Sequence, residues 1–205
     1  MILASASVRR NELLCRMGLD FTVIPSNASE AAAGMPPREL VEHNALLKVR
    51  DVCAKLTNAD KGALIIGADT IVVKDNRILG KPTNGEDAFR MLRFLSGSWH
   101  SVFTAITICE AGTGKTICKT SETAVCFKKL SDDEIKSYIA SGEPLDKAGA
   151  YGIQGLGAVL IEKVEGDYGT VVGMSPAVLA DLLAAFGFDV LSKNKTIAKN
   201  RHIEL

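Results

Sequence analysis

The sequence predicts an α/β protein, a mixed sheet with flanking helices, and three observations carry that expectation. Apolar stripes at helical spacing alternate along the chain with short β-rich runs. Ser or Thr stands where helices should start, at Ser7, Thr83, Ser131 and Ser175. The 205 residues are 47% apolar, enough to bury a sizeable core in one domain or two closely joined lobes.

The elements follow in order. Met1 to Ala4 reads as a short buried strand. Ser7 caps a helix running to about Met17 and closed by Gly18. Phe21 to Pro25 is strand-like, and Asn27 to Pro37 a loop. Arg38 to Leu56 is helical, with Val41, Ala45, Val49, Val52 and Leu56 as its apolar stripe. Ala63 to Ile66 and Thr70 to Val73 read as two strands separated by Gly67-Ala68-Asp69. Thr83 with Glu86 forms a capping box for a helix ending near Gly97. Val102 to Cys109 and Thr120 to Phe127 should pair across the turn at Ala111-Gly112-Thr113-Gly114. Ser131 with Glu134 is a second capping box. Gly157 to Val164 and Thr170 to Val172 read as further strands. Ser175-Pro176 opens a last helix ended by Gly187, with proline in the first helical position. Residues 192 to 205 are polar and basic and read as a frayed tail.

Bulk composition excludes several classes. Lys plus Arg number 24 and so do Asp plus Glu, which argues against a general nucleic-acid binder. Met1-Ile2-Leu3-Ala4-Ser5 lacks the charged region of a signal peptide. No run of about 18 apolar residues offers a membrane span. The five cysteines are odd in number and contain no C-x-x-C pair, so neither a disulfide framework nor a zinc site is expected. A reducing, cytoplasmic setting fits this usage.

Some motifs are decoys. Gly114-Lys115-Thr116 looks like the end of a phosphate-binding P-loop, but Cys109 stands where the earlier glycine belongs and a strand follows where a helix is required. Gly152, Gly155 and Gly157 run in the reverse of the dinucleotide fingerprint. The three histidines are scattered, and no G-x-S-x-G elbow is present.

Four segments look chemical. In Ser5-Ala6-Ser7-Val8-Arg9-Arg10, hydroxyls and arginines meet a helix N-terminus, an anion-binding combination. Lys48 lies roughly 20° from Val41 and 40° from Val52 on a wheel of about 100° per residue. It sits inside the apolar arc and must either snorkel or pair with an anion. Asp69 follows a buried strand, where α/β proteins bind ligands, and Lys81 begins a similar loop. Glycines 149, 152, 155 and 157 crowd one loop at an entropic cost, as when a ligand or another backbone comes close.

Together these segments resemble the Maf family of nucleotide pyrophosphatases. The matching pieces are Leu3 to Arg10, Gly67-Ala68-Asp69-Thr70, Gly80-Lys81-Pro82, Glu143 to Gly155, Gly166-Asp167-Tyr168 and Val171-Val172-Gly173. They occur in register over nearly the whole chain. The resemblance implies a single domain, residues 1 to 205, with two lobes around a deep cleft (the Maf/ITPase-like arrangement). It implies hydrolysis of a nucleoside triphosphate to monophosphate and pyrophosphate, with a divalent cation such as Mg2+ or Mn2+. Asp69 matches the family's proton acceptor. Arg9, Thr70 and Gln154 match positions linked to substrate choice, and Ser5, Arg10, Glu30, Lys48 and Lys81 match other cleft residues. Glu30 and Asp69 are the candidates to hold the metal, so Asp69 is open between base and ligand. Two departures stand out: Val8 replaces a usual proline, and Ser29 replaces an acidic residue beside Glu30.

The version Ala150-Tyr151-Gly152-Ile153-Gln154 resembles the branch acting on dTTP and UTP. A glutamine amide, with one acceptor and two donors, suits the N–H and carbonyl edge of uracil or thymine. The expected partner is therefore a small-molecule pyrimidine triphosphate, canonical or modified in a house-cleaning role, with no nucleic acid and no membrane. The family suggests a homodimer. The alternatives are a 7-methyl-GTP pyrophosphatase and a non-catalytic nucleotide-sensing regulator of cell division, since the family is associated with septum formation.

Overall fold

An eleven-residue strand, β3 (Leu64–Lys74), forms the axis of the protein. The sequence reading split it at Gly67-Ala68-Asp69; the strand instead runs straight through. Gly67 is there for close approach, not for a turn. A Cβ at this position would lie 2.5 Å from Val49 Cγ2 and 2.8 Å from the Ala45 carbonyl oxygen. Both belong to helix α2 (Pro37–Cys53), which crosses the strand at that point.

The computed structural model describes residues 1–31, 34–57 and 60–192. Seven strands form one mixed sheet. β5 (Trp99–Glu110) pairs antiparallel along the whole of one edge of β3, from Leu64↔Glu110 to Val73↔Ser101. The other edge is shared. β1 (Ile2–Leu3) runs parallel to Ile65 and Ile66, with β2 (Thr22–Val23) parallel beyond it. β4 (Arg77–Leu79) pairs antiparallel with Val72 to Lys74. Between Ile66 and Val72 that edge carries no strand partner among the described residues, so the sheet opens there. β6 (Thr116–Phe127) forms the expected hairpin with β5, and β7 (Ile161–Glu165) adds a last antiparallel strand. The Gly-Lys-Thr decoy is the hairpin turn, with Gly114 at φ 73°.

Helix α2 covers one face, placing Leu40, Val41 and Ala45 against Ile71, Val73 and Ala105, and Val49 and Val52 against Ile65. Two helix pairs divide the other face. α1 (Val8–Arg16) and α6 (Pro176–Ala184) pack around Leu3, Ala68 and Ile106 through Leu14, Leu179 and Leu182. α3 (Gly85–Leu95) and α4 (Asp132–Ala140) pack around Val72, Val102 and Phe127 through Leu92, Leu95 and Ile135. The opening in the sheet edge falls where these two packed halves meet.

Local chemistry decided several boundaries. Ser7, Ser131 and Ser175 cap their helices, and Ser131 with Glu134 forms the full capping box. Thr83 is not a cap. Asn84 accepts from the Asp87 N–H at 2.9 Å, while the Thr83 N–H and hydroxyl donate to the Asp87 carboxylate. Thr170 to Val172 is not a strand but part of a short helix, α5 (Tyr168–Val172). Asp167 accepts from the Gly169 N–H at 2.9 Å and Gly173 ends the turn at φ 111°, so capping overrides β propensity. Leu156–Leu160 is a 3-10 turn, which leaves only Ile161–Glu165 as strand in that region. α2 stops at Cys53, short of Leu56. Of the expected tail, residues 193–205 lie outside the described residues. Among the described residues no helix is long and apolar enough to cross a membrane.

Candidate active site

The opening in the sheet edge leads into a cavity of about 880 Å3. Ser5, Arg9, Arg10, Glu30, Lys48, Asp69, Thr70, Lys81 and Gln154 all line it. These side chains singled out from the sequence therefore meet in one place, although they come from six separate segments.

Asp69 and Thr70 are consecutive in β3, so their side chains leave opposite faces of the sheet. Asp69 points toward α2. Its Oδ1 accepts from Lys48 Nζ at 2.7 Å and its Oδ2 from Asn44 Nδ2 at 3.2 Å. Lys48 also reaches Glu30 Oε1 at 2.7 Å and the Ala68 carbonyl at 3.3 Å. One ammonium thus bridges two carboxylates. Lys48 is inside the apolar arc of its helix because it is paired, not because it snorkels.

Asn44, one turn before Lys48, links strand and loop. Its Oδ1 accepts from the Ala31 N–H at 2.9 Å, and its Nδ2 donates to the Ala31 carbonyl at 3.0 Å. This two-point clasp holds the loop that carries Glu30. Exposure rises outward, from 7% for the Asp69 side chain to 12% for Lys48 and 51% for Glu30. Burial is the largest influence on the Glu30 carboxyl and opposes its ionisation. The hydrogen bond and charge of Lys48, helped by Lys81 and Arg10, outweigh it and hold the group below the usual carboxylate range.

Thr70 points to the other face. Thr104 Oγ1 donates to the Thr170 carbonyl at 2.7 Å, so its single hydrogen is used. Thr70 Oγ1, 2.9 Å away, must then donate to Thr104, and it accepts from Arg10 Nη2 at 3.1 Å. Arg10 also donates through Nε to the Gly173 carbonyl at 2.9 Å and through Nη1 to Ser5 Oγ at 3.2 Å. Burial pushes the Arg10 pKa down, partly offset by Asp69. Ser5 Oγ accepts from the Ser7 N–H as well, so its hydroxyl hydrogen is left to donate into the cavity.

The glycine-rich loop closes the cavity on the β4 side. The Gly149 N–H donates to the Gly80 carbonyl at 3.0 Å, which ties this loop to the one carrying Lys81. A Cβ on Gly149 would meet Val72 at 2.9 Å, and one on Gly157 would collide with the Gly152 carbonyl oxygen. These glycines permit backbone-on-backbone and backbone-on-strand packing. Glu143 clamps the loop from below, accepting from the Leu156 N–H at 2.9 Å, the Gly157 N–H at 3.1 Å and the Tyr138 hydroxyl at 2.9 Å. Tyr138 OH in turn accepts from the Gly152 N–H at 3.1 Å. Tyr151 sits on buried His100, whose Nε2 is 2.7 Å from the phenol oxygen.

Sequence reasoning gives no role to Asn44, Thr104, His100 or Tyr138, and none to Glu143 although the matching loop begins there. The helical-wheel reading that flagged Lys48 applies equally to Asn44, four residues earlier on the same face. No local pattern marks Thr104 or His100, because their partners are distant in sequence.

A family model described as Maf-like protein matches residues 1–186. The dTTP/UTP pyrophosphatase of Moorella thermoacetica is 50% identical over 191 residues, covering 93% of this chain and 96% of that protein. The dTTP/UTP pyrophosphatase of Acetivibrio thermocellus is 47% identical over 197 residues, covering 94% and 98%. That of Thermococcus kodakarensis is 47% identical over 193 residues, covering 94% and 100%.

Proposed function

Because the chain belongs to the Maf-like protein family, we propose that it hydrolyses dTTP and UTP to the nucleoside monophosphate and pyrophosphate. The observation that carries this reading is the cavity at the open edge of β3. There a buried carboxylate, Asp69, is paired with Lys48, and Arg9, Lys81 and Gln154 line the same cavity.

A water molecule attacks the α-phosphorus, the bond from that phosphorus to the α–β bridging oxygen breaks, and pyrophosphate leaves with the bond's electron pair. Asp69 accepts the proton of the attacking water. Lys48 and Asn44 fix the orientation of that carboxylate, so little rearrangement is needed at the moment of reaction. Arg9 and Lys81 hold phosphate oxygens, and the Ser5 hydroxyl donates to another. Arg10 plays a supporting part, since each of its guanidinium nitrogens already binds a protein acceptor. Gln154 reads the N–H and carbonyl edge of the pyrimidine.

A divalent cation of the Mg2+ or Mn2+ type fits this donor set. Glu30 and Asp69 both line the cavity, and Lys48 binds only one oxygen of each, so both carboxylates keep lone pairs with which they would hold the ion. Mg2+ sites of this kind use one or two carboxylates and complete their shell with substrate phosphate and water. Among the described residues no third His, Cys, Asp or Glu joins them. When bound, the ion would neutralise charge on the phosphate oxygens.

Purified protein given dTTP, UTP, dCTP, dATP, GTP and 7-methyl-GTP with Mg2+ or Mn2+ should release pyrophosphate fastest from dTTP and UTP. Faster release from 7-methyl-GTP would overturn the base assignment. Inorganic phosphate as the first product, in place of pyrophosphate, would overturn the bond assignment.

A further inference from the structure

A second cavity, of about 520 Å3, lies at the far end of α2, away from the glycine-rich loop. Cys53, the last residue of α2, and Cys109, near the end of β5, both line it. They share one core cluster, in which Cys109 packs with Val49, Val52 and Ile65 and Cys53 packs against that group. The Cys109 side chain acts directly on the Cys53 thiol and raises its pKa, while its own S–H donates to the Glu110 carbonyl at 3.8 Å. Cys109 is 8% exposed, whereas Cys53 is partly open to the cavity. The pair is separated by 55 residues of sequence, so no spacing motif announces it. Lys61 stands at the rim, its side chain against Gly112 of the hairpin turn.

We propose that Cys53 and Cys109 are a paired modification site that closes to a disulfide when hydrogen peroxide enters this cavity. Cys53, the more accessible sulfur, attacks the peroxide oxygen as the thiolate. The O–O bond breaks, water leaves, and Cys53 becomes a sulfenic acid. Cys109 then attacks that sulfur, the S–O bond breaks, a second water leaves, and the S–S bond forms. Two thiols are oxidised and one peroxide is reduced to two waters. Among the described residues no third His, Cys, Asp or Glu completes a metal-binding cluster here, which favours a covalent pair over a metal site.

The bond would join the end of α2 to β5, and α2 also carries Asn44 and Lys48. Burial, with Cys109 beside it, pushes the Cys53 thiol up to about 11. The resting state at neutral pH is therefore the dithiol. The rate of closure should rise about tenfold per pH unit from pH 7 to pH 10, because only the thiolate attacks.

The test uses the folded, full-length protein treated with hydrogen peroxide and mapped by mass spectrometry. The expected result is a loss of about 2 Da in an intramolecular bond, with a Cys53–Cys109 linked peptide that dithiothreitol dissolves. The oxidised protein should melt at higher temperature, since the cross-link restricts the unfolded chain. Cys53→Ser and Cys109→Ser should each abolish the linked peptide. A variant with Cys15, Cys118 and Cys126 all changed to serine should still form it. Separate sulfinic acids at the two positions with no linked peptide would overturn the proposal, and so would a linked peptide that forms only after denaturation. None of these readouts uses pyrophosphatase activity.

Discussion

Asp69 and Thr70 are neighbours on one strand, yet the two faces they serve are built for different ends. On the α2 side, Asp69, Lys48 and Glu30 form a charged chain that grows more exposed toward the cavity. Lys48 spends its three protons on Asp69, Glu30 and the Ala68 carbonyl, while the two carboxylates keep lone pairs beside the cavity. On the other side, Thr70, Thr104, Arg10 and Ser5 form a network that ends on the backbone of α5 and its cap, at Thr170 and Gly173. There one half-buried positive charge holds three segments together. The α2 face joins charge to charge, whereas the other joins a charge to neutral hydroxyls and backbone carbonyls. Under the proposed function the first face serves the chemistry and the second chiefly supports it, with the Ser5 hydroxyl as its contact to substrate.

The largest effect should come from Asp69→Ala. Turnover of dTTP is expected to fall about 10³-fold or more, as for loss of a positioned base. Stability should drop by only about 1–2 kcal/mol, because Glu30 keeps Lys48 paired. Steady-state kinetics with a urea titration separates the two quantities. Turnover within tenfold of the parent would remove Asp69 from the chemistry.

Arg10→Met should behave in the opposite sense. It strips a charged donor from the Gly173 carbonyl, Ser5 and Thr70, all at or near the core, and should cost about 3 kcal/mol of unfolding free energy. The refolded fraction should keep a KM for dTTP within a few-fold of the parent. Unchanged stability with a large rise in KM would mean that Arg10 is a phosphate contact after all, and the contrast between the two faces would collapse.

His100 extends the supporting role to the glycine-rich loop. Its pKa is lowered to about 4, chiefly by burial and then by the charge of Lys74. Its Nδ1 has no partner, so a proton there would gain nothing in return. The unfolded chain takes up a proton near pH 6.5, but the folded chain refuses it until about pH 4. Stability should therefore decline as pH falls through this window, by up to about 3 kcal/mol, and then level off. Glu30 works the same way at lower pH: its depressed pKa supplies stability that is lost only as pH falls below the unfolded carboxylate value. Between pH 6.5 and 5 the slope thus belongs mainly to His100. Urea midpoints of the parent and His100→Gln across that range should diverge, the variant showing the flatter profile.

What was legible in the sequence follows from how local the determinants are. Caps such as Ser7 and Ser131 act on N–H groups three residues away, and both were read correctly. Thr83 was misread because Asn84, one residue on, offers the better acceptor geometry. Thr170 to Val172 carry β-branched side chains, and only the capping by Asp167 together with the left-handed Gly173 makes them helical. Gly67 shows the limit most clearly. A glycine in an apolar run signals a turn or a close approach, and the choice depends on α2, whose path local sequence does not reveal. The cavity-lining residues were found because ordered motifs point to them. Residues that hold those motifs from behind, such as Thr104 and His100, carry no local signature.

Glu143 provides the finest test of the distinction between chemistry and support. It lies in the motif resembling the family, yet its carboxylate faces away from a ligand role and accepts three protein donors: Leu156 N–H, Gly157 N–H and Tyr138 OH. Those donors flank Gln154, the residue proposed to read the base. A glutamine at position 143 keeps one acceptor oxygen but turns an NH2 group toward N–H donors, so at least one of the three bonds is lost. A neutral acceptor also binds the remaining donors less strongly than a carboxylate does. About 1 kcal/mol of loop positioning should go, which corresponds to a roughly five-fold rise in KM for dTTP with kcat nearly unchanged. The discrimination between dTTP and dCTP should narrow by a similar factor, because a loosened Gln154 no longer presents one fixed hydrogen-bond pattern. Kinetics of Glu143→Gln on both nucleotides checks this. A fall in kcat with KM unchanged would place Glu143 with Asp69 on the chemical side of the molecule, and the boundary between the two regions would have to be redrawn around it.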